Sequence, residues 1–184
     1  MVSAGVLLLA LVAVVAIQRV CELYLARHNA RWARSCGAQE FGADHYPAFF
    51  VLHLAWLIAW PLEAWAAGPR LAASAWVWLL LFLFAQALRY AAISSLGWRW
   101  NTRILVLPGA QPIRRGPYRC LAHPNYVAVV LELATLPLAF SAVWTAAIIG
   151  VLNAVLLLAV RIPAERRALD WAASRTAAEA LNCS

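Results

Sequence analysis

Four long apolar blocks leave this chain little choice of fold. Ala4 to Leu25 is the first, with Gln18, Arg19 and Glu22 only in its second half. Tyr46 to Ala67 and Leu71 to Ile93 follow, and Tyr126 to Val160 is a run of double length. A helix needs roughly 20 apolar residues to cross about 30 Å of hydrocarbon. Three blocks meet that length singly, and the fourth predicts two helices joined by a turn near Ser141. The first of that pair, Tyr126 to Phe140, is short; it either begins earlier, near Leu121, or forms a hairpin that does not fully cross. Composition agrees, with 65% hydrophobic and 12% charged residues, against about 45–50% and 25% in soluble domains. The expectation is an all-α integral membrane protein of about five transmembrane helices. The last two form a helical hairpin, and the whole is one membrane domain over residues 1–184 with no sizeable soluble part.

The first block lacks a basic leading region and a small-residue cleavage site, which predicts a retained helix rather than a signal peptide. Cys21, Cys36, Cys120 and Cys183 show no CxxC pair and no metal-ligand spacing, so they read as unpaired thiols and no metal is expected. All 15 basic residues are arginine, and the net charge is +7. Arg27, Arg31 and Arg34 follow the first apolar block, and Arg70 stands alone after the second. Arg89, Arg99, Arg103, Arg114, Arg115 and Arg119 lie between the third and fourth helices, and Arg161, Arg166, Arg167 and Arg175 follow the fifth. The positive-inside rule then puts the N-terminus outside and the C-terminus in the cytoplasm, and five passes satisfy it without a violation. Arginines interleaved with helices read as topology and contact with anionic lipid, not as a nucleic-acid surface.

So few polar residues concentrate the chemistry. Between Arg89 and Tyr126 stand Leu96-Gly97-Trp98-Arg99-Trp100-Asn101, Pro108-Gly109, Arg115-Gly116-Pro117-Tyr118-Arg119 and His123-Pro124-Asn125-Tyr126. Pro-Gly and Gly-Pro pairs mark turns. Pro124 disfavours a helical His123, so the imidazole is fixed on a corner where the fourth helix starts. Unpaired N–H groups and the positive dipole end make such a start suited to an anionic group. Arg161 and Glu165 share a helix face at the end of the fifth helix, either as an intrahelical ion pair or, because Pro163 falls between them, at a kink. A kinked, charged end facing the His-Pro corner predicts a pocket at the cytoplasmic interface.

These pieces, from Leu96 to Leu169, resemble the isoprenylcysteine carboxyl methyltransferase family of membrane enzymes that use S-adenosylmethionine. Leu96-Gly97, Trp100, Pro108-Gly109, Gly116-Pro117-Tyr118-Arg119, His123-Pro124-Asn125-Tyr126 and Arg161 through Glu165 stand in the family's order and spacing. Residues 94–184 are then the methyltransferase-like part, and residues 1–93 supply three further helices. The segments Ala128–Glu132, Leu136–Leu138 and Leu152–Ala154 are similar to a bacterial branch found beside type III polyketide synthases, whose acceptors are alkylpyrones and alkylresorcinols. The resemblance implies that Tyr118, His123, Pro124, Asn125 and Tyr126 hold S-adenosylmethionine, with backbone from about Ala110 to Ile113 closing over it. It implies that Glu165 takes the cofactor's ammonium group and that Arg161 meets an anionic oxygen of the acceptor. The chain departs from the family pattern at Ala122, where an arginine is usual, and at Arg166, where an acidic residue is.

Among other intramembrane polar residues, Glu132 reads as a substrate-side residue by the rule that ionisable groups in a span are functional. For Gln86 and Asn153 interhelical hydrogen bonding is an equal reading. His53 and Glu63 stand in the second helix, and Trp98 and Trp100 are candidates to line the cofactor cleft. The expected function is O-methyl transfer from S-adenosylmethionine to a lipophilic or prenylated acceptor, either a long-chain alkylpyrone or alkylresorcinol hydroxyl or an isoprenylcysteine-type carboxylate. A phospholipid N-methyltransferase is the second reading, and a membrane scaffold without catalysis the third.

Overall fold

A computed structural model describes residues 3–175, and Cys183 lies outside that range. Helix α1 runs from Ala4 to Ser35, α2 from Tyr46 to Ala66, and α3 from Ala75 to Leu96. Helix α4 covers Pro124–Ala139, α5 Val143–Val155 and α6 Ile162–Ala173. Strands β1 (Gln39–Phe41) and β2 (Ile104–Val106) pair antiparallel, with Glu40 opposite Leu105. The molecule is an all-α membrane protein.

Helix α1 is longer than its apolar block. At 32 residues it measures about 48 Å, and Arg27, Arg31 and Arg34 stand on its last turns instead of after them. Those turns bury Ala26, Asn29, Ala30 and Ala33, the spacing of one helix face. The opposite stripe of α1, including Val6, Leu9, Val14, Ile17 and Val20, is exposed. An apolar surface of that extent belongs against lipid.

Among the described residues, four helical segments are long and apolar enough to span a membrane, the last being the continuous stretch Val143–Ala173. Helix α4 is the exception. Its 16 residues reach about 24 Å, short of the roughly 30 Å of hydrocarbon. It begins at Pro124, because a 3₁₀ turn over Gly116–Arg119 and the His123 corner precede it. Nine of its residues are buried and only Val127 and Val130 are exposed apolar side chains, so protein covers most of it and its length need not match the bilayer. Trp56 Nε1 donates to the Leu133 carbonyl at 3.0 Å, and Trp56, Trp60, Leu133, Leu136 and Phe140 form the core.

The chain alternates between two ends. Ala72 N bonds Ala139 O at 3.0 Å, and the Glu63 carboxylate caps α5 by accepting from Trp144 N (3.0 Å), Thr145 N (2.8 Å) and Thr145 Oγ1 (2.6 Å). The turn at Ser141, with φ 61°, stands at that same end. At the other end Asn29 Nδ2 donates to Trp100 O at 2.7 Å and Asn101 Nδ2 to Ala26 O at 2.9 Å. Glu40 there accepts from Arg34 (2.8 Å) and Arg103 (2.5 Å), tying β1 to β2. Cys21 and Cys120 are free thiols, whereas Cys36 is disulfide-bonded, against the expectation that all are unpaired.

Arg89 is a second correction. It is not a surface arginine between helices but lies inside α3, 3% exposed, on the carboxylates of Glu22 and Glu132. Arg19 completes a quartet, reaching Glu22 and Glu132 at 2.8 Å each. Two positive and two negative charges cancel, which is how ionised groups tolerate such a setting. Gln18 Nε2 donates to Gln86 Oε1 at 2.7 Å beside it.

Candidate active site

The end that carries β1 and β2 opens into one cavity of about 720 Å³, within the range of small-molecule sites. Its lining includes Trp98, Arg99, Tyr118, His123, Asn125, Tyr126, Arg161 and Glu165, and between α1 and α2 it is lined by Val20, Phe50, Leu54 and Leu57, the first three of them exposed.

The lining follows from local chain geometry. A Cβ at Gly116 would overlap Ser95 Oγ and stand 3.3 Å from Ser95 Cβ, and φ there is +54°. Only glycine fits such a site without strain, and the turn it permits delivers Tyr118. Burial, then the Glu165 charge, push the Tyr118 phenol up, so it stays a neutral hydroxyl. Pro124 occupies the first turn of α4, holding His123 at φ −133° and outside the helix. The His123 ring stacks on Tyr126 at 5.1 Å with 16° between planes.

Between α5 and α6 the helix widens into a π turn over Leu156–Arg161. Pro163 explains the break, since it offers no N–H to the preceding turn and its ring crowds a carbonyl there. Extra-wide turns of this kind are frequent at functional sites. Arg161 leaves the turn 8% exposed, its Nη2 donating to Thr102 O at 2.8 Å and its Nε to the Tyr126 hydroxyl at 3.2 Å. Its guanidinium also lies 5.7 Å from the Phe49 ring centroid. Tyr126 in turn donates to Glu165 Oε2 at 2.6 Å, and His123 Nδ1 stands 3.5 Å from that oxygen. Arg161 and Glu165 are therefore joined through a tyrosine rather than as a direct pair. Among the described residues, Arg161 Nη1 and Glu165 Oε1 have no hydrogen-bond partner. The positive field of Arg161 extends to His45. Burial first and then Arg161 lower that imidazole's pKa, outweighing Asp44, so it is neutral at neutral pH.

Most of the residues expected from the sequence converge here: Tyr118, His123, Asn125, Tyr126, Arg161 and Glu165 all line the cavity, with Pro124 buried behind them. Trp98 and Trp100 line it too, as does Ile113 from the segment expected to close over a cofactor. Glu132 does not line it. Its partners Arg19 and Arg89 do, with Glu22. Thr102 and Phe49, which fix Arg161, carried no sequence signal. Arg19, Glu22 and Arg89 were detectable, because charges at helical spacing inside apolar runs must face one another. No cluster of three or more His, Cys, Asp or Glu capable of holding a metal occurs among the described residues.

The donor set fits a polar, positively charged ligand. Asn125 Oδ1 and Trp100 Nε1 are buried without hydrogen-bond partners. Such orphans are costly unless a ligand completes them. Glu165 adds a carboxylate for a cation, and aromatic rings surround it.

A multi-pass membrane fold with a charged, aromatic cavity at the start of a short buried helix defines a class of membrane enzymes. The family model for the isoprenylcysteine carboxyl methyltransferase (ICMT) family matches residues 78–171, from α3 to the end of α6, and this chain belongs to that family. It is 40% identical over 163 residues to YpbQ of Bacillus subtilis (strain 168), a protein of uncharacterized function, covering 87% of this chain and 95% of that one. An uncharacterized protein of Haemophilus influenzae (strain ATCC 51907 / DSM 11121 / KW20 / Rd) is 30% identical over 135 residues, 73% of this chain and 78% of that one. No solved structure matches. The family is one of methyltransferases, and the chain is accordingly a membrane methyltransferase.

Proposed function

We propose that the protein is an S-adenosylmethionine-dependent O-methyltransferase whose acceptor is a long-chain alkylpyrone or alkylresorcinol. The observation that carries this reading is the Arg161–Tyr126–Glu165 chain in a cavity that also exposes the apolar side chains Val20, Phe50, Leu54 and Leu57 between α1 and α2. Opposite charges held apart by one hydroxyl suit two ligands of opposite charge meeting at one point. Bound S-adenosylmethionine would supply a sulfonium methyl to an oxygen nucleophile. Glu165 Oε1 would take its ammonium group, the His123–Tyr126 stack and Tyr118 would offer aromatic faces to the cation, and Asn125 Oδ1 would accept from a polar group of the nucleoside. Arg161, always protonated, would favour the ionised form of an acidic enol or phenol. An acceptor arriving as an anion needs alignment and exclusion of water rather than a strong base.

The same Arg161 weighs against a phospholipid N-methyltransferase, because a fixed cation beside an amine that becomes cationic raises the barrier. The lining between α1 and α2 suits a hydrocarbon chain that stays among lipid tails. The arginines of the site end (Arg27, Arg31, Arg34, Arg99, Arg103, Arg114, Arg115, Arg119, Arg166, Arg167) against Arg70 at the other support a cytoplasmic site with the N-terminus outside.

The test is mass spectrometry of membranes carrying the protein, given labelled S-adenosylmethionine with an alkylpyrone and a farnesylcysteine analogue side by side. Methyl ether on the alkylpyrone, lost in Arg161→Ala, is the expected result. Methylation of the cysteine analogue alone would overturn the ring-hydroxyl acceptor. No cofactor binding by purified protein would favour a scaffold.

A further inference from the structure

Asn153 sits in the middle of the membrane-spanning stretch of α5, is 1% exposed, and lines the same cavity as Arg161 with Leu157 between them. Neither Nδ2 nor Oδ1 of its amide has a hydrogen-bond partner. Interhelical hydrogen bonding is the structural reason for an asparagine in a span, and the neighbouring helices provide none. A buried amide with both ends unsatisfied is costly in hydrocarbon, where no water relieves it. His53, on α2, lines the same cavity and is half-buried. Its Nδ1 is 2.7 Å from Phe49 O, and because a carbonyl only accepts, Nδ1 carries the proton. In the tautomer that this contact selects, Nε2 is a lone-pair acceptor, and it has no hydrogen-bond partner among the described residues. The charges nearby are paired among Arg19, Glu22, Arg89 and Glu132, with Arg19 Nε and Arg89 Nε left without a hydrogen-bond partner. On α2 and α5, the uncharged cavity-lining groups left without a partner are the Asn153 amide and His53 Nε2.

We infer that Asn153 and His53 form a neutral polar subsite that binds a second oxygen function of the acceptor, a hydroxyl or ring carbonyl, beyond the oxygen held by Arg161. This rests on the ring-hydroxyl reading above and sharpens it. A hydroxyl donates to His53 Nε2 or Asn153 Oδ1, and a carbonyl accepts from Asn153 Nδ2. A purely hydrocarbon chain satisfies neither. The subsite therefore selects dihydroxy rings and pyrones over simple phenols.

Three acceptors decide it: a long-chain alkylresorcinol, the matching 3-alkylphenol with one hydroxyl, and N-acetyl-S-farnesylcysteine. KM and kcat are measured with the full chain in lipid nanodiscs for the wild type, Asn153→Leu and His53→Phe. For the wild type the resorcinol should show a KM about tenfold below that of the phenol, the discrimination that one to two buried hydrogen bonds provide. Asn153→Leu should raise the resorcinol KM toward the phenol value, leave the phenol KM unchanged, and leave thermal stability equal or higher, since an unsatisfied amide has been removed. His53→Phe should raise the resorcinol KM in the same direction. Equal wild-type KM values for the two ring compounds would overturn the subsite alone, whether or not either variant folds. Loss of stability in Asn153→Leu with an unchanged preference for resorcinol would assign Asn153 to structure and overturn its part. Methylation of the farnesylcysteine compound only would overturn the acceptor reading and the subsite with it.

Discussion

Tyr126 holds a single hydroxyl between a guanidinium at 3.2 Å and a carboxylate at 2.6 Å, so its removal affects both ends of the site at once. Tyr126→Phe should lower methyl transfer more than tenfold, because a hydrogen bond to a charged group is worth roughly 1.5–3 kcal/mol. The ring stack on His123 survives that change, so the fold should not suffer. An unaltered kcat/KM in the variant would mean that the hydroxyl does not organise the site. His123→Ala and Glu165→Ala act on one side only. Each should weaken S-adenosylmethionine binding about ten- to hundredfold, read by calorimetry on protein that stays folded in detergent. Unchanged affinity in both would remove the pair from the cofactor site. The His-Pro corner was legible in the sequence because proline dictates the backbone before it. The hydroxyl bridge was not, because it depends on α6 meeting α4 across 35 residues of chain.

Among the elements, helix positions followed from apolar length, and the hairpin turn at Ser141 from the doubled run. The β1–β2 ribbon escaped notice, since three-residue strands more than sixty positions apart leave no periodic trace. It is secured by side chains instead. Burial works to raise the Glu40 carboxyl, but hydrogen bonds and charge from Arg103 and Arg34 outweigh it and hold the pKa below the ordinary value. A depressed pKa means that the stabilisation is present at neutral pH and lost as pH falls through the folded-state value. Glu40→Gln should thus speed amide hydrogen exchange around Leu105 at neutral pH. The difference from the wild type should vanish once the pH drops below that value; a difference that persists in acid would rule out the charge as its cause. The quartet on α1, α3 and α4 makes a stronger demand. Arg89→Ala strands a buried carboxylate and should cost about 3–5 kcal/mol, whereas replacing Arg89 and Glu132 together by methionine leaves the Arg19–Glu22 pair intact and should cost less than either single change. Thermal unfolding in detergent measures this, and additive losses would show that the four charges do not act as a unit.

At the scale of the whole molecule, the described residues run back and forth between two ends in five helical passes, α5 and α6 forming one, and most of the arginines are gathered at one end. That asymmetry predicts the orientation independently of the site. The end formed by the N-terminus, the α2–α3 connection and the Ser141 turn carries Arg70, and the end formed by β1, β2 and the start of α4 carries Arg27, Arg31, Arg34, Arg99, Arg103, Arg114, Arg115, Arg119, Arg166 and Arg167. An impermeant maleimide applied to intact cells reads it out. Cys120 is a free, exposed thiol at the arginine-rich end, and Ala67 is exposed at the other. Ala67 is a better position for an introduced cysteine than Gly68, whose φ of +79° disfavours a side chain. Ala67→Cys should react from outside, and Cys120 should react only after the membrane is made permeable. The short helix α4 gives this test its force. Were α4 to dip in and return on the same side, the two ends would no longer alternate, and the contact of Ala139 with Ala72 would have to form across a bilayer. Labelling of Cys120 in sealed cells would reverse the orientation. Labelling of both positions would break the five-pass alternation itself, and with it the cytoplasmic placement proposed for the site.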